Sequence, residues 1–495
     1  MHGLVTLIEV VCLLFCIYRL FRIPYLLFFH PLAKFPGPTI AAFSNVWYAY
    51  HWLSGRYPWA IEDALLKYGD VVRIAPNELV FLTPQAFHDI YLPQNKKLEV
   101  FEKTNFQNRG KDLGGIVFEE DPVKHRETAR KLSLAFSNQS LRAMEPVIRK
   151  HMDYFVERMK ELSDTDEGVE IVQWTDWLAM DSSTDLTWNE EANQMKNQKS
   201  SVHLEALLAF NSFATVIMVY KRFPFLHALQ YLFIPVMKLP VYIAMTKATS
   251  EAIMRRMSRT GNTPHLDYFD SILPAGTPIP KPVRTYAYSA LFFLLEEPEC
   301  CEILAKEIRS RFEKYEDISP EALNELPYLH AVLEESLRML PQNNTGLPRL
   351  SPGAMVDGHY VPKGTHIQTS IFTLSRSPRY FHNLQKFRPE RWLPSSHPLH
   401  DSKYDKDALS SLHFFSLGPR ACLGREMAWM QEKLFVAKVV WMFDLVRVEE
   451  HAGHKWKMAQ TGKRDLKGLE MLEKRLLHYG FLVKPEIRAR FVARR

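Results

Sequence analysis

Apolar residues recur at helical spacing over six long stretches, about 139–162, 202–218, 241–259, 298–314, 327–340 and 424–442. A shorter helix is predicted over 59–68. Residues 70–75 (Asp-Val-Val-Arg-Ile-Ala) and 79–82 predict strands, because β-branched residues recur between turn signals at Pro76-Asn77 and Pro84. A second extended region, 353–371, holds Asp357-Gly358 and Lys363-Gly364 turns. The pattern predicts a mainly α fold with a minor β region drawn from both ends of the chain. With no internal repeat, low-complexity tract or long Ser/Gly linker, residues 39–495 form one expected body.

The N-terminus carries a different pattern. Leu4 to Phe21 is almost continuously apolar, interrupted by Glu9 and Arg19. At 1.5 Å per residue these 18 residues reach about 27 Å, just enough to span a bilayer. Residues 1–22 are therefore expected to be a single-pass anchor, with a buried core helix or an interfacial anchor as the alternatives. No small-residue cleavage site follows. Arg19, Arg22 and Lys34 place the main body on the cytosolic side, and the endoplasmic reticulum is the expected membrane. Residues 23–38 form a linker that ends in Phe35-Pro36-Gly37-Pro38, a stiff hinge that cannot continue a helix. The apolar stretch 220–245 fits either core or a surface resting on the membrane.

Hydrophobic residues make up 46% and charged residues 24%, a mix that excludes disordered, collagen-like and multi-spanning chains. A net charge of +6 over 495 residues is too weak for a nucleic-acid partner. It leaves room for a local basic patch that docks an acidic protein. The five cysteines, Cys12, Cys16, Cys300, Cys301 and Cys422, make no disulfide framework and point to a reducing compartment.

Cys422 is the most informative residue. It lies in His-Phe-Phe-Ser-Leu-Gly-Pro-Arg-Ala-Cys-Leu-Gly, 413–424, directly before a helical pattern. Free N–H groups and the helix dipole at such a position favour a thiolate. Gly418 and Gly424 let the backbone turn tightly against something bulky, and Arg420 adds a nearby positive charge. A thiolate on a glycine-shaped loop suits a haem iron; a lone buried structural cysteine is the alternative.

Phe415, Gly418, Arg420, Cys422 and Gly424 together form Phe-x-x-Gly-x-Arg-x-Cys-x-Gly, which resembles the haem-binding signature of the cytochrome P-450 superfamily. The resemblance implies that Cys422 ligates the iron of haem b, Arg420 holds a propionate and Phe415 tunes the thiolate. Leu347-Pro348-Arg349 before Ser351-Pro352-Gly353 resembles the segment that sends a second arginine, here Arg349, to a propionate. On the helix beneath the haem the family often has Trp or His and, four residues later, Arg. His125 fits, but position 129 is Ala and the arginine is Arg130, about 100° away round the helix.

Glu335 and Arg338 form Glu-x-x-Arg, one helical turn apart. Alone this is an ordinary solvated pair, and the leucines Leu329, Leu333 and Leu340 define a face from which both charges point away. Phe387-Arg388-Pro389-Glu390-Arg391-Trp392 resembles the family's next signature, which implies that Arg391 completes a buried Glu-Arg-Arg cluster of structural rather than catalytic importance.

One region departs from the family. A helix of about 30 residues, about 45 Å long, is expected to cross the haem face before Glu335 and to carry an acid–alcohol pair for proton delivery. Here Asp267–Leu273 runs into residues 274–282, with four prolines in nine residues. The helical pattern resumes near Val283 and ends at Glu296, 14 residues or about 21 Å. Thr285 and Ser289 follow no acidic residue in the family manner, so no catalytic residue is identified on that side. The central helix is read as truncated, with an internal segment missing near 274–284.

The resemblance covers nearly the whole chain and is nearest to membrane-bound fungal enzymes of secondary metabolism. It implies a monooxygenase that inserts one oxygen atom from O2 into an apolar small molecule. Electrons would come from NADPH through a membrane-bound flavoprotein reductase. Arg126, Arg130, Lys131, Arg425, Lys433 and Lys438 are the candidate docking patch for that reductase. The alternatives are an isomerase or dehydratase that needs no dioxygen activation, and a catalytically silent haem-binding remnant.

Overall fold

A computed structural model describes most of residues 20–494 and scattered positions before them. Outside the described residues lie most of 1–19, together with 106–115, 163–164, 224–238, 260–261, 269–286, 343, 449–475, 480–481 and 495. The expected membrane anchor, most of the apolar 220–245 stretch and the proline-rich 274–282 segment therefore fall outside them. Among the described residues no helix is long and apolar enough to cross a membrane.

The helices that matter to the site are, in chain order, α1 (Tyr57–Tyr68), α2 (Pro84–Tyr91), α3 (Pro122–Leu132), α4 (Asn138–Leu162), α5 (Ile171–Trp188), α6 (Val202–Tyr220), α7 (Leu239–Ser258), α8 (Ala287–Glu296), α9 (Pro298–Arg311), α10 (Pro327–Met339) and α11 (Arg425–Met442). Their starts follow local chemistry. Thr83 caps α2 by accepting from the Ala86 N–H at 3.2 Å, and Pro84 occupies the first turn, where its missing N–H is harmless. Asp121 caps α3 the same way, accepting from Val123 and Lys124 with Pro122 behind it.

The core sits among α4, α5, α8, α9, α10 and α11. Along α4, Leu141, Met144, Ile148, Met152, Phe155 and Met159 fall on one buried stripe. α11 is buried on every side from Leu434 to Val440, the pattern of a central helix. In the described part of α8, Ala290 to Leu295 are all buried.

The sheets join distant parts of the chain. Strands β1 (Val71–Ala75), β2 (Glu78–Phe81), β3 (Glu102–Lys103), β4 (Val169–Glu170), β5 (Arg349–Leu350), β6 (Ala354–Val356), β7 (His359–Val361), β8 (His366–Thr369), β9 (Phe443–Arg447) and β10 (Arg488–Ala493) make three of them. The largest has the order β1-β2-β8-β5-β3. Among the described residues only β2 and β8 pair in parallel, His366 opposite Glu78 and Thr369 opposite Phe81. β6 and β7 form a hairpin whose two-residue turn, Asp357-Gly358, takes positive φ at both positions, as the handed twist of such turns requires. The third sheet has the order β9-β10-β4.

Candidate functional site

The loop 413–424 is bent by two left-handed residues, Ser416 and Gly418, at φ of 62° and 69°. Gly418 also lies directly on the end of α2: a Cβ there would sit 2.1 Å from the Tyr91 carbonyl oxygen. No larger residue fits without moving backbone. Gly424 is different. It is the residue before α11 and has φ of −87°, which any residue adopts, so the turn does not explain it. The Cys422 N–H donates to the Phe415 carbonyl at 2.8 Å, closing the loop three residues before α11. Cys422 is exposed, yet protein around the loop desolvates its thiol enough to push it above the usual value. The Gly424 N–H and Arg425 pull it back. The loop therefore offers a thiol whose ionisation a bound cation would have to complete. The Phe415 ring lies 5.9 Å from the Trp429 ring of α11. Both line a narrow cleft with Ser289 and Ala290 of α8 and Leu333 and Ser336 of α10.

Beside this loop lies a corner rich in cations. Arg420 binds Glu99 at 2.5 Å and donates to the Glu119 and Glu120 carbonyls at 2.5 and 3.1 Å. Arg349 is buried on β5 and donates to the Leu347 and Pro348 carbonyls, with its guanidinium 5.1 Å over the Tyr91 ring. No carboxylate is among its described hydrogen-bond partners. Lys103 stands opposite Arg349 across the β3–β5 pair. Burial, then Arg349 and Arg420, pull its ammonium down to about 7. His125 is buried on α3; burial, then Arg420, push its imidazole down to about 4. The carboxylate bonded in this corner, Glu99, is taken up by Arg420. A haem, with two propionates beside its iron, fits a corner holding Arg349, Arg420, Lys103 and a neutral His125 next to a cysteine loop.

Behind the loop, the Glu335 carboxylate binds Arg338 at 2.8 Å and Arg391 at 3.0 Å, and all three side chains are fully buried. Glu335 also accepts from the Trp392 indole and the Arg388 N–H, both at 2.9 Å. Arg338 donates to the Ser375 and Leu384 carbonyls at 2.9 and 3.0 Å, and Arg391 also pairs with Asp407. Burial alone would raise the Glu335 carboxyl, but Arg338 and Arg391 hold it below the usual range. Glu335, Arg338 and Arg391 thus form one buried cluster rather than a solvated pair. Both charges do point away from the leucine face, but into a second packed layer rather than into water.

The cytochrome P450 family model matches residues 37–275 and 285–461. This chain belongs to the cytochrome P450 family. It is 42% identical to the cytochrome P450 monooxygenase TwmD of Talaromyces wortmannii, over 98% of this chain and 96% of that protein. It is 36% identical to the cytochrome P450 monooxygenase BOA3 of Botryotinia fuckeliana, over 85% of this chain and 87% of that protein. With the cytochrome P450 monooxygenase poxC of Penicillium oxalicum it shares 33% identity, over 96% and 92%. The chain is accordingly an oxidoreductase of the monooxygenase type that uses haem iron and electrons from a redox partner.

These alignments also contain gap positions against this chain. The TwmD alignment runs over 507 positions, but 98% of this chain is about 485 residues, so about 22 positions of the relative face nothing here. For poxC, 495 positions against about 475 residues leave about 20. The family match itself breaks between 275 and 285, at the proline-rich stretch.

Within this P450 the expected cationic patch does not form as one surface. Arg126, Arg130, Lys131 and Arg425 are exposed. Lys433 and Lys438 are buried: Lys433 donates to Asn324 at 2.8 Å, and Lys438 pairs with Asp153. They belong to the all-round packing of α11. Arg130 points to solvent while His125, on the same helix, faces Arg420, as the one-residue offset predicts. Thr285 lies outside the described residues, and Ser289 is buried. Four residues escaped the sequence reading: Lys103, Glu99, Trp429 and Asp407. The first two sit in two-residue strands with no periodicity to announce them, and Asp407 lies in an irregular loop.

Proposed function

We propose that this chain inserts one oxygen atom from O2 into an apolar small molecule of a fungal secondary-metabolite pathway. The observation that carries the reading is the pairing of the Gly418-wedged Cys422 loop with the anion-poor corner beside it. Cys422 would be the protein ligand of the haem iron, and Arg349, Arg420 and His125 would hold the propionates. When bound, the haem supplies the dioxygen chemistry, which a thiolate ligand favours by pushing electron density toward the iron. Phe415 and Trp429 shield the ligand loop on its helix side. Glu335, Arg338 and Arg391 hold the loop's support in one arrangement and touch no substrate.

Electrons would come from NADPH through a flavoprotein reductase docking near Arg126, Arg130, Lys131 and Arg425. The body would sit on the cytosolic face of the endoplasmic reticulum, tethered by the apolar segment 1–22. The exposed Leu20 and Phe21 at the end of that segment, and Phe28 and Phe29 after it, support contact with a bilayer.

The central helix of this chain is truncated in the same reading. α8 supplies 10 described residues, and the family match breaks just before it. A lost exon or gene-model error accounts for both. The transcript should contain about 30–40 further in-frame residues near Pro282, ending in a helical pattern with Gly and Thr. The chain as written lacks the acid–alcohol pair. Haem-loaded protein with reductase and NADPH should then consume O2 chiefly by two-electron reduction, with two protons taken up to give hydrogen peroxide. Tightly coupled hydroxylation by this chain, with a transcript that matches it, would defeat the truncation. The short α8 is also what favours the second reading, an isomerase or dehydratase. Substrate conversion without NADPH or O2 would establish that reading instead.

A further inference from the structure

Glu334 is a half-buried carboxyl on α10 that nothing above gives a role in the chemistry. It lies 3.5 Å from the His330 Nε2, one turn earlier on the same helix. The His330 ring stands 4.9 Å from the Trp429 ring of α11, and Trp429 stands 5.9 Å from Phe415. The Phe415 carbonyl accepts from the Cys422 N–H at 2.8 Å. An imidazole and two aromatic rings in contact thus lead from a carboxyl to the backbone of the ligand loop. Rings in contact leave little room for water, so a charge at the far end is poorly screened. The other charged groups around α10 are mostly engaged. From α11, Lys433 acts on Glu334 but donates to Asn324 at 2.8 Å, Glu426 pairs with Arg425, and Glu432 lines the cleft with Phe415 and Trp429. From α9, Glu307 accepts from the Tyr328 and Leu329 N–H groups at 2.9 Å. From the 389–392 turn, Arg391 binds Glu335 and Asp407, and Glu390 acts on Cys300 and Tyr328. Among the described side chains of α8 the one charge is Glu296, paired with Arg447. On α10 itself Arg338 is held by Glu335.

We propose that the Glu334 carboxyl is a proton-responsive charge that sets the reduction potential of the iron behind Cys422: the neutral acid eases reduction and the carboxylate opposes it. The proposal rests on the haem reading above. Burial raises this carboxyl to about 7 against the pull of Lys433, so its charge changes in the neutral range. His330, pushed down to about 4 by burial and then by Lys433, is neutral there, so the carboxyl is the titrating end of the chain of rings. As pH rises through 7, Glu334 loses its proton and the new negative charge disfavours an added electron. Linkage makes the effect reciprocal. An electron delivered by the reductase raises the proton affinity of Glu334 and draws a fraction of a proton from solvent onto the carboxylate. No other bond changes. A unit charge acting over about 15 Å at an effective dielectric near 20 shifts an equilibrium about fivefold.

Spectroelectrochemical titration of the haem-loaded full chain between pH 6 and 8 tests this. At a fixed electrode potential the ferrous/ferric ratio of the parent should fall about fivefold more across that range than the ratio of E334Q. E334D keeps a carboxyl and should keep the fall. Haem content and the carbon-monoxide thiolate band should be the same in all three, because the substitutions touch neither the ligand loop nor the cationic corner. K433M gives a second readout that does not depend on the folding of E334Q: without the ammonium that holds Glu334 down, the fall should move to higher pH. Parallel titrations of parent and E334Q with the band intact, or a fall that K433M leaves in place, would remove Glu334 from this role while the haem reading stands. If the parent chain takes up no haem at all, both fall.

Discussion

At Gly418 a left-handed backbone and a carbonyl contact act together. Alanine would face both the φ of 69° and an oxygen 2.1 Å from its methyl. Strain of this kind costs of order 1–3 kcal/mol, and the Tyr91 backbone cannot yield as a flexible side chain would. G418A should therefore lower stability by about 2–3 kcal/mol and weaken haem uptake; a urea titration of the haem-free protein followed by a haem titration measures both. His478 makes a second residue-scale case. It is buried, and burial pushes its imidazole down to about 3. Between that value and the unfolded value near 6.5, the unfolded chain binds the extra proton. Stability from His478 is thus complete above pH 6.5 and is lost as pH falls toward 3. Half-buried Glu334, raised to about 7, works in the opposite direction, its contribution fading as pH rises through 7. The difference between parent and H478F isolates the histidine: the urea midpoint of H478F should fall less between pH 7.5 and 5 than the parent's. An equal fall in both would show that this imidazole does not titrate between the two states.

Among elements, the helices were legible and their surroundings were not. Apolar spacing placed α4, α6, α7, α9, α10 and α11 to within a few residues, and α4 buries the stripe that its own sequence displays. The Asp357-Gly358 turn was legible for the same local reason. What escaped depends on partners far along the chain. The parallel β2–β8 pairing joins residues nearly 290 apart, and β3 is two residues long. Glu335 and Arg338 show the limit most clearly. Periodicity alone places them off the leucine face, and only the arrival of Arg391, Trp392 and Asp407 makes that second face a buried one. Lys433 and Lys438 fail in reverse: two charges on a helix suggest a surface, but α11 is packed all round. Removing one member of the buried network leaves the others uncompensated, so R391A should cost about 3–5 kcal/mol. A urea titration checks this. A loss below about 1 kcal/mol, the scale of an exposed pair, would mean that the three charges are solvated after all.

For the whole molecule, the main hydrophobic core and the largest sheet place a cysteine loop, a cationic corner and an arginine–glutamate brace within a single arrangement. The ligand loop was legible as a motif; the corner was only half legible, since Arg349, Arg420 and His125 could be named and Lys103 could not. The central claim is that Cys422 binds the haem iron as a thiolate. It is tested by the spectrum of reduced, carbon-monoxide-bound protein, compared between the parent and C422A. The parent should show the red-shifted Soret band of a thiolate complex, and C422A should lose it even where haem is retained by the corner. An unchanged band in C422A would contradict the account.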